Sequence, residues 1–126
     1  MKEILIIDDE EDLCRMVKRV LESTGEYEVD MAQDGKSGLK KARKTMPALI
    51  LLDIRMPEMD GFEVLEKLKS KRKTMSIPVV VLSIRDDEEA KLKASRLYDD
   101  LYLTKPFDPE ELKSKIADVF RRREMI

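Results

Sequence analysis

The sequence predicts an α/β fold in which a parallel five-stranded sheet is covered by helices on both faces. Short apolar runs, of the kind that strands buried on both sides require, alternate with longer amphipathic stretches along the whole chain. Short loops join them, so each strand is followed by a helix. At 126 residues and 42% hydrophobic composition the chain has the size of one domain with one sizeable core, residues 1–126.

The elements follow in order. A first strand is expected at Glu3 to Asp8 and a first helix at about Glu11 to Ser23, where Leu13, Val17, Val20 and Leu21 recur at helical spacing and Gly25 ends the run. A second strand, Tyr27 to Met31, leads through an Asp34-Gly35 turn to a helix from Lys36 to Lys44, and Pro47 marks the return to a strand. The third strand is Leu49 to Asp53. Asp60 is placed to cap a third helix running to about Lys71 with Phe62, Val64, Leu65 and Leu68 apolar. After a fourth strand, Val79 to Ser83, a fourth helix opens on Asp86, Asp87, Glu88 and Glu89. A fifth strand, Leu101 to Leu103, precedes a helix opening on Asp108-Pro109-Glu110-Glu111 and closing on Arg121, Arg122 and Arg123. Acids in a first turn and bases in a last turn complement the helix dipole, which is the plainest account of these charge runs.

Because crossovers between parallel strands are right-handed, five βα units imply an open three-layer sandwich, and the flavodoxin-like strand order 2-1-3-4-5 is the natural arrangement. In such a sheet ligands bind beyond the carboxyl ends of the strands, at the switch point between the first and third.

Composition narrows the chemistry to be sought there. The chain has no histidine, which removes Ser-His-Asp hydrolysis, Cys-His nucleophiles and most catalytic zinc sites, and means that this chain is not itself a phosphohistidine donor. Its 25 basic and 27 acidic residues nearly cancel, so no strong overall field draws it to nucleic acid or membrane. The longest apolar run, Ala48 to Leu52, is far short of the roughly 20 residues that cross a bilayer. One cysteine, Cys14, and no signal-peptide pattern make a cytoplasmic location the expectation.

Asp8 and Asp9 stand at the end of the first strand and Asp53 at the end of the third, flanking the switch point. A nucleotide phosphate would need a Gly- or Ser/Thr-rich loop there, whereas Asp8-Asp9-Glu10-Glu11 would repel it. Three clustered carboxylates call for a proton or a cation; Mg2+ is the expected companion, with Mn2+ as a substitute. Solvated strand-end turns are the plainer reading of Asp8 and Asp9 taken alone. The next two strands, however, end in Ser83 and in Lys105-Pro106. A hydroxyl, an ammonium, a metal-binding acidic pair and a central carboxylate are what phosphoryl transfer to an aspartate needs.

In this order and at these strand positions the residues resemble those of response-regulator receiver domains of two-component signalling. The resemblance covers essentially the whole chain and is carried by Ile4-Leu5-Ile6-Ile7-Asp8-Asp9-Glu10, by Leu52-Asp53-Ile54-Arg55-Met56-Pro57-Glu58-Met59-Asp60-Gly61 and by Leu103-Thr104-Lys105-Pro106-Phe107. It implies that Asp53 is the phosphoacceptor, that Asp9, Asp53 and the Arg55 carbonyl ligate Mg2+ directly, and that Asp8 holds it through water. It also implies that Lys105 pairs with Asp53 at rest, that the Lys105-Pro106 peptide bond is cis, and that Ser83 and Tyr102 move together as a switch. A sensor histidine kinase or phosphotransfer protein would be the donor, docking at the first helix and the loop after Lys105, with Cys14 and Met16 either contact residues or, equally, core or rim packing. A protein effector, or an output domain outside this chain, would read the face formed by the fourth helix, fifth strand and fifth helix. A monomer or a phosphorylation-dependent homodimer is implied, and the only reaction catalysed is its own phosphorylation and dephosphorylation.

Three places depart from the family pattern. Ile84 stands where receivers generally carry alanine or another small residue, and its bulk is expected to slow the uptake or the loss of phosphate. Arg55 and Arg85 occupy the variable positions that tune phosphate lifetime, either holding phosphoryl oxygens or remaining solvated. Tyr98-Asp99-Asp100-Leu101 replaces a common Gly-Ala-Asp-Asp sequence before the fifth strand. A phosphorylation-independent pseudo-receiver is the main alternative. An aspartyl phosphatase is disfavoured because Asp53-Ile54-Arg55 lacks a second acid to protonate a leaving group.

Overall fold

A computed structural model of the chain describes residues 1–84, 87–89, 92 and 101–124. Five parallel strands, β1 (Lys2–Ile7), β2 (Tyr27–Ala32), β3 (Leu49–Asp53), β4 (Val79–Ile84) and β5 (Tyr102–Lys105), form one sheet in the order β2-β1-β3-β4-β5. Helices α1 (Glu11–Glu22), α2 (Gly35–Thr45), α3 (Gly61–Lys69) and a C-terminal helix (Pro109–Glu124) cover its two faces. The fold is therefore the three-layer sandwich expected. The helix expected from Asp86, Arg85 and the Tyr98-Asp99-Asp100 segment lie wholly or largely outside the described residues.

Strand alternation sorts the core into two halves. Ile4, Ile6, Leu49, Leu51, Val80 and Leu82 pack with Cys14, Val17 and Leu21 of α1 and with Leu112, Ile116, Val119 and Phe120 of the C-terminal helix. Leu5, Ile7, Ile50, Leu52, Val79 and Val81 pack with Leu39 and Ala42 of α2 and with Val64, Leu65 and Leu68 of α3. β1 and β3 are central and apolar on both sides; β2, at the edge, alternates buried and exposed residues.

The helix starts follow their caps. Asp60 accepts from the Glu63 N–H at 3.0 Å, and Asp108 accepts from the Glu111 N–H at 2.8 Å. At α2 the expectation needs correcting: Asp34 caps the helix by accepting from the Ser37 N–H at 2.8 Å, so Gly35 is already helical rather than part of a turn. α3 stops at Lys69, two residues short of the expected end, because Ser70 caps it and the chain turns through Thr74, whose hydroxyl donates to the Leu68 carbonyl at 2.6 Å. β5 begins one residue later than expected and extends to Lys105, because the parallel register pairs Val81 with Tyr102 and Ile84 with Lys105.

Candidate functional site

β1 and β3 lie side by side, with Ile7 opposite Leu52, so the residues that follow them, Asp8 and Asp53, emerge at one carboxyl edge. Asp8 is fully buried and Asp53 is 5% exposed, while Asp9 stays in solvent. Carboxylate oxygens of Asp8, Asp9 and Asp53 lie within 4.8 Å of one another. Asp53 Oδ1 accepts from the Arg55 N–H at 3.3 Å, and Asp8 Oδ1 accepts from the Glu10 N–H at 2.9 Å. Each carboxylate is thus oriented by the loop that follows it.

The loop after Asp53 is held against the strand by Gly61. Its N–H donates to the Ile54 carbonyl at 2.9 Å, and a Cβ there would lie 2.3 Å from the Asp53 carbonyl oxygen and 2.6 Å from the Ile54 Cα. Only glycine permits this approach.

Lys105, at the end of β5, reaches across the sheet edge into the acidic group. Its Nζ lies 2.7 Å from Asp8 Oδ2, 3.2 Å from Glu10 Oε1 and 3.5 Å from Asp53 Oδ1. The resting ammonium is therefore shared among three carboxylates and sits closest to Asp8, not to Asp53. Glu10 was not singled out for this role in the sequence; its place directly after Asp9 was the available signal.

One ammonium does not balance this much buried negative charge. Burial, reinforced by the Asp8 charge and opposed by Lys105, pushes the Asp53 carboxyl up to about 7. Burial also raises Asp8, against hydrogen bonds from Lys105 and the Glu10 N–H. Lys105 loses by burial but is raised on balance by its carboxylate partners. An all-oxygen site short of positive charge, with one exposed ligand toward solvent, suits a hard divalent cation that keeps part of its water shell.

Ser83 is 2% exposed, and its Oγ has no hydrogen-bond partner among the described residues. Ser83 and Thr104 are paired in register, as are Val81 and Tyr102, so Ser83 and Tyr102 occupy one face of adjacent strands. Tyr102 is half-buried and packs against the α2/α3 half of the core. Ile84, beside Lys105 in register, is 58% exposed. The Lys105-Pro106 bond is cis, as expected.

Two expectations fare differently. The Arg55 side chain is neither on the carboxylates nor free in water: Nε and Nη2 donate to Asp87 Oδ2 and Oδ1 at 2.8 and 2.9 Å. Asp87 was read in the sequence only as a helix-opening acid. Cys14 is fully buried with its Sγ 3.4 Å from the Asp8 carbonyl oxygen, and burial pushes its thiol up to about 12. Of its two readings, contact residue or core packing, Cys14 takes the second; Met16 is half-buried against the same core.

The response regulator receiver domain model matches residues 4–117, and the chain belongs to that family, a class of two-component signalling domain. It is 38% identical over 124 residues to the alkaline phosphatase synthesis transcriptional regulatory protein PhoP of Bacillus subtilis strain 168, covering 98% of this chain and 50% of that one. It is also 38% identical over 126 residues to the DNA-binding dual master transcriptional regulator RpaA of Synechocystis, covering 100% and 52%. The chain spans about half the length of these curated relatives. Among solved structures it resembles the chemotaxis protein CheY4 of Vibrio cholerae, with a TM-score of 0.87, 32% identity and coverage of 94% and 98%. A CheY-like receiver domain protein of Methanospirillum hungatei gives 0.89, 31% and coverage of 99% and 98%. Among the described residues no helix is long and apolar enough to cross a membrane.

Proposed function

We propose that residues 1–126 form one phosphoacceptor domain in which Asp53 takes a phosphoryl group from a histidine kinase or phosphotransfer protein and passes the change to a protein partner or following domain. The observation that carries this is the convergence of Asp53, Asp8, Asp9 and Lys105 at one edge of the sheet, next to a buried Ser83 hydroxyl that no described group satisfies.

Asp8, Asp9, Asp53 and the Arg55 carbonyl are the groups that would hold Mg2+, or Mn2+ in its place. The ion would supply charge neutralisation for the phosphoryl oxygens. An Asp53 carboxylate oxygen attacks phosphorus as the bond from phosphorus to the donor atom breaks, and the departing donor keeps that electron pair. Lys105 moves from Asp8 and Glu10 toward the new phosphoryl oxygens, and Ser83 Oγ donates to one of them. Drawing Ser83 in leaves room on the face it shares with Tyr102, so the phosphorylated state favours an inward tyrosine. The names of the two transcriptional relatives support an output at transcription. The near-neutral charge of this chain supports no direct nucleic-acid role for it.

Intact mass after incubation with acetyl phosphate tests the reading. A gain of about 80 Da is expected in the wild type, absent without Mg2+ and absent in Asp53→Ala. No gain from acetyl phosphate or from a phosphorylated histidine kinase would favour a pseudo-receiver. In the same assay Ile84→Ala accelerates uptake or decay, since the exposed side chain is paired in register with Lys105; unchanged rates would remove Ile84 from the account.

A further inference from the structure

The Arg55–Asp87 pair joins the segments that follow two neighbouring strands, beyond the point where the sheet pairs them. Arg55 follows the phosphoacceptor strand β3, and Asp87 follows β4, 32 residues later in the chain. A pair of solvated surface charges contributes little. This one is two-pronged, and although the Arg55 side chain is half exposed, that of Asp87 is only 8% exposed. Such geometry holds a guanidinium in one place.

The same arginine touches the reacting group through its backbone, since its N–H donates to Asp53 Oδ1. Its backbone is thus anchored beside Asp53 while its guanidinium is committed to Asp87. A phosphoryl group on Asp53 would bring nearly two negative charges and three acceptor oxygens into reach of that guanidinium, in competition with one carboxylate.

We propose that Asp87 is a positioning residue that sets phosphate lifetime: it holds the Arg55 guanidinium away from Asp53, and the phosphoryl group competes with it for that guanidinium. This inference rests on the phosphoacceptor reading. Dephosphorylation occurs when a water oxygen attacks phosphorus and the Asp53 oxygen–phosphorus bond breaks, returning the carboxylate and inorganic phosphate. A guanidinium on the phosphoryl oxygens obstructs that water. Asp87, by retaining the arginine, keeps the phosphate short-lived.

The test is the decay of phosphorylated protein, followed by intact mass after removal of acetyl phosphate. It uses wild type, Asp87→Asn, Asp87→Glu, Arg55→Ala and the Arg55→Ala, Asp87→Asn double variant. Asp87→Asn should lengthen the lifetime by about tenfold, the value of one charge-assisted hydrogen bond. Asp87→Glu, which keeps the ion pair, should restore the wild-type lifetime, and in the Arg55→Ala background Asp87→Asn should change nothing. The Arg55 Nε–H resonance should shift more on phosphorylation of Asp87→Asn, where the guanidinium is free to reach the phosphoryl group, than on phosphorylation of the wild type. A lifetime unchanged in Asp87→Asn, or lengthened equally without Arg55, would overturn the proposal while leaving phosphorylation of Asp53 intact. No phosphoryl mass in any variant would overturn both.

Discussion

Asp53 carries the conflict on which the site works. Its carboxyl is raised from 3.8 to about 7, chiefly by burial and then by Asp8, so between these values the folded protein binds a proton that the unfolded chain has released. Stability from this group is full below about pH 4 and is lost as pH rises through 7, where the buried charge stands fully ionised. Asp53→Asn removes that charge while Lys105 keeps Asp8 and Glu10 as partners. In metal-free buffer its Tm at pH 8 should exceed that of the wild type by about 5 °C, with the gap closing toward pH 5. Calorimetry across that range checks this, and an equal Tm at pH 8 would show that Lys105 already offsets the charge. The same protons would compete with a divalent cation at the proposed site, so Mg2+ affinity measured by titration should fall as pH drops below 7.

The loop between β3 and α3 is the element on which the site depends most. It carries the Arg55 N–H, the Arg55 side chain and the Asp60 cap, and it is closed onto the strand at Gly61. Gly61→Ala would drive a methyl group into the Asp53 carbonyl, so the loop must move. Overpacking of this kind costs about 1–3 kcal/mol, seen as a lower urea midpoint at unchanged m-value. Displacing the loop also displaces Asp53 itself, so phosphoryl uptake should slow together with the loss of stability. A variant of wild-type stability and rate would show that the loop yields without moving the carboxylate.

At the scale of the molecule, the chain ends are fastened to each other below the site. Phe120 of the C-terminal helix stacks on Tyr27 of β2 with ring centroids 5.9 Å apart, and the Lys2 ammonium lies 4.2 Å from the Phe120 ring centre. Phe120→Ala should therefore cost about 3–5 kcal/mol by cavity formation. Because the substitution is remote from the carboxyl edge, phosphoryl uptake by the molecules that remain folded should be unchanged. A loss of uptake at full folding would instead reveal coupling through the C-terminal helix.

Alternation of Ile/Leu/Val runs with amphipathic stretches determined the layers and the strand order, because a strand buried on both faces and a helix with one apolar stripe leave few ways to pack. Asp8, Asp9, Asp53, Ser83 and Lys105 were legible for the same reason: in a parallel sheet, residues at strand ends share an edge whatever their distance in the chain. What only the tertiary structure decided were the contacts made by long side chains and the close approaches of backbone. Lys105 settles nearest Asp8 because that carboxylate is the most buried, Arg55 turns to Asp87 because that carboxylate is sheltered and within its reach, and Cys14 is lost to the core because α1 rotates it beneath the Asp8 carbonyl. Strand ends obey periodicity, but a flexible cation chooses among several carboxylates by distance and burial, and these exist only once the chain has folded.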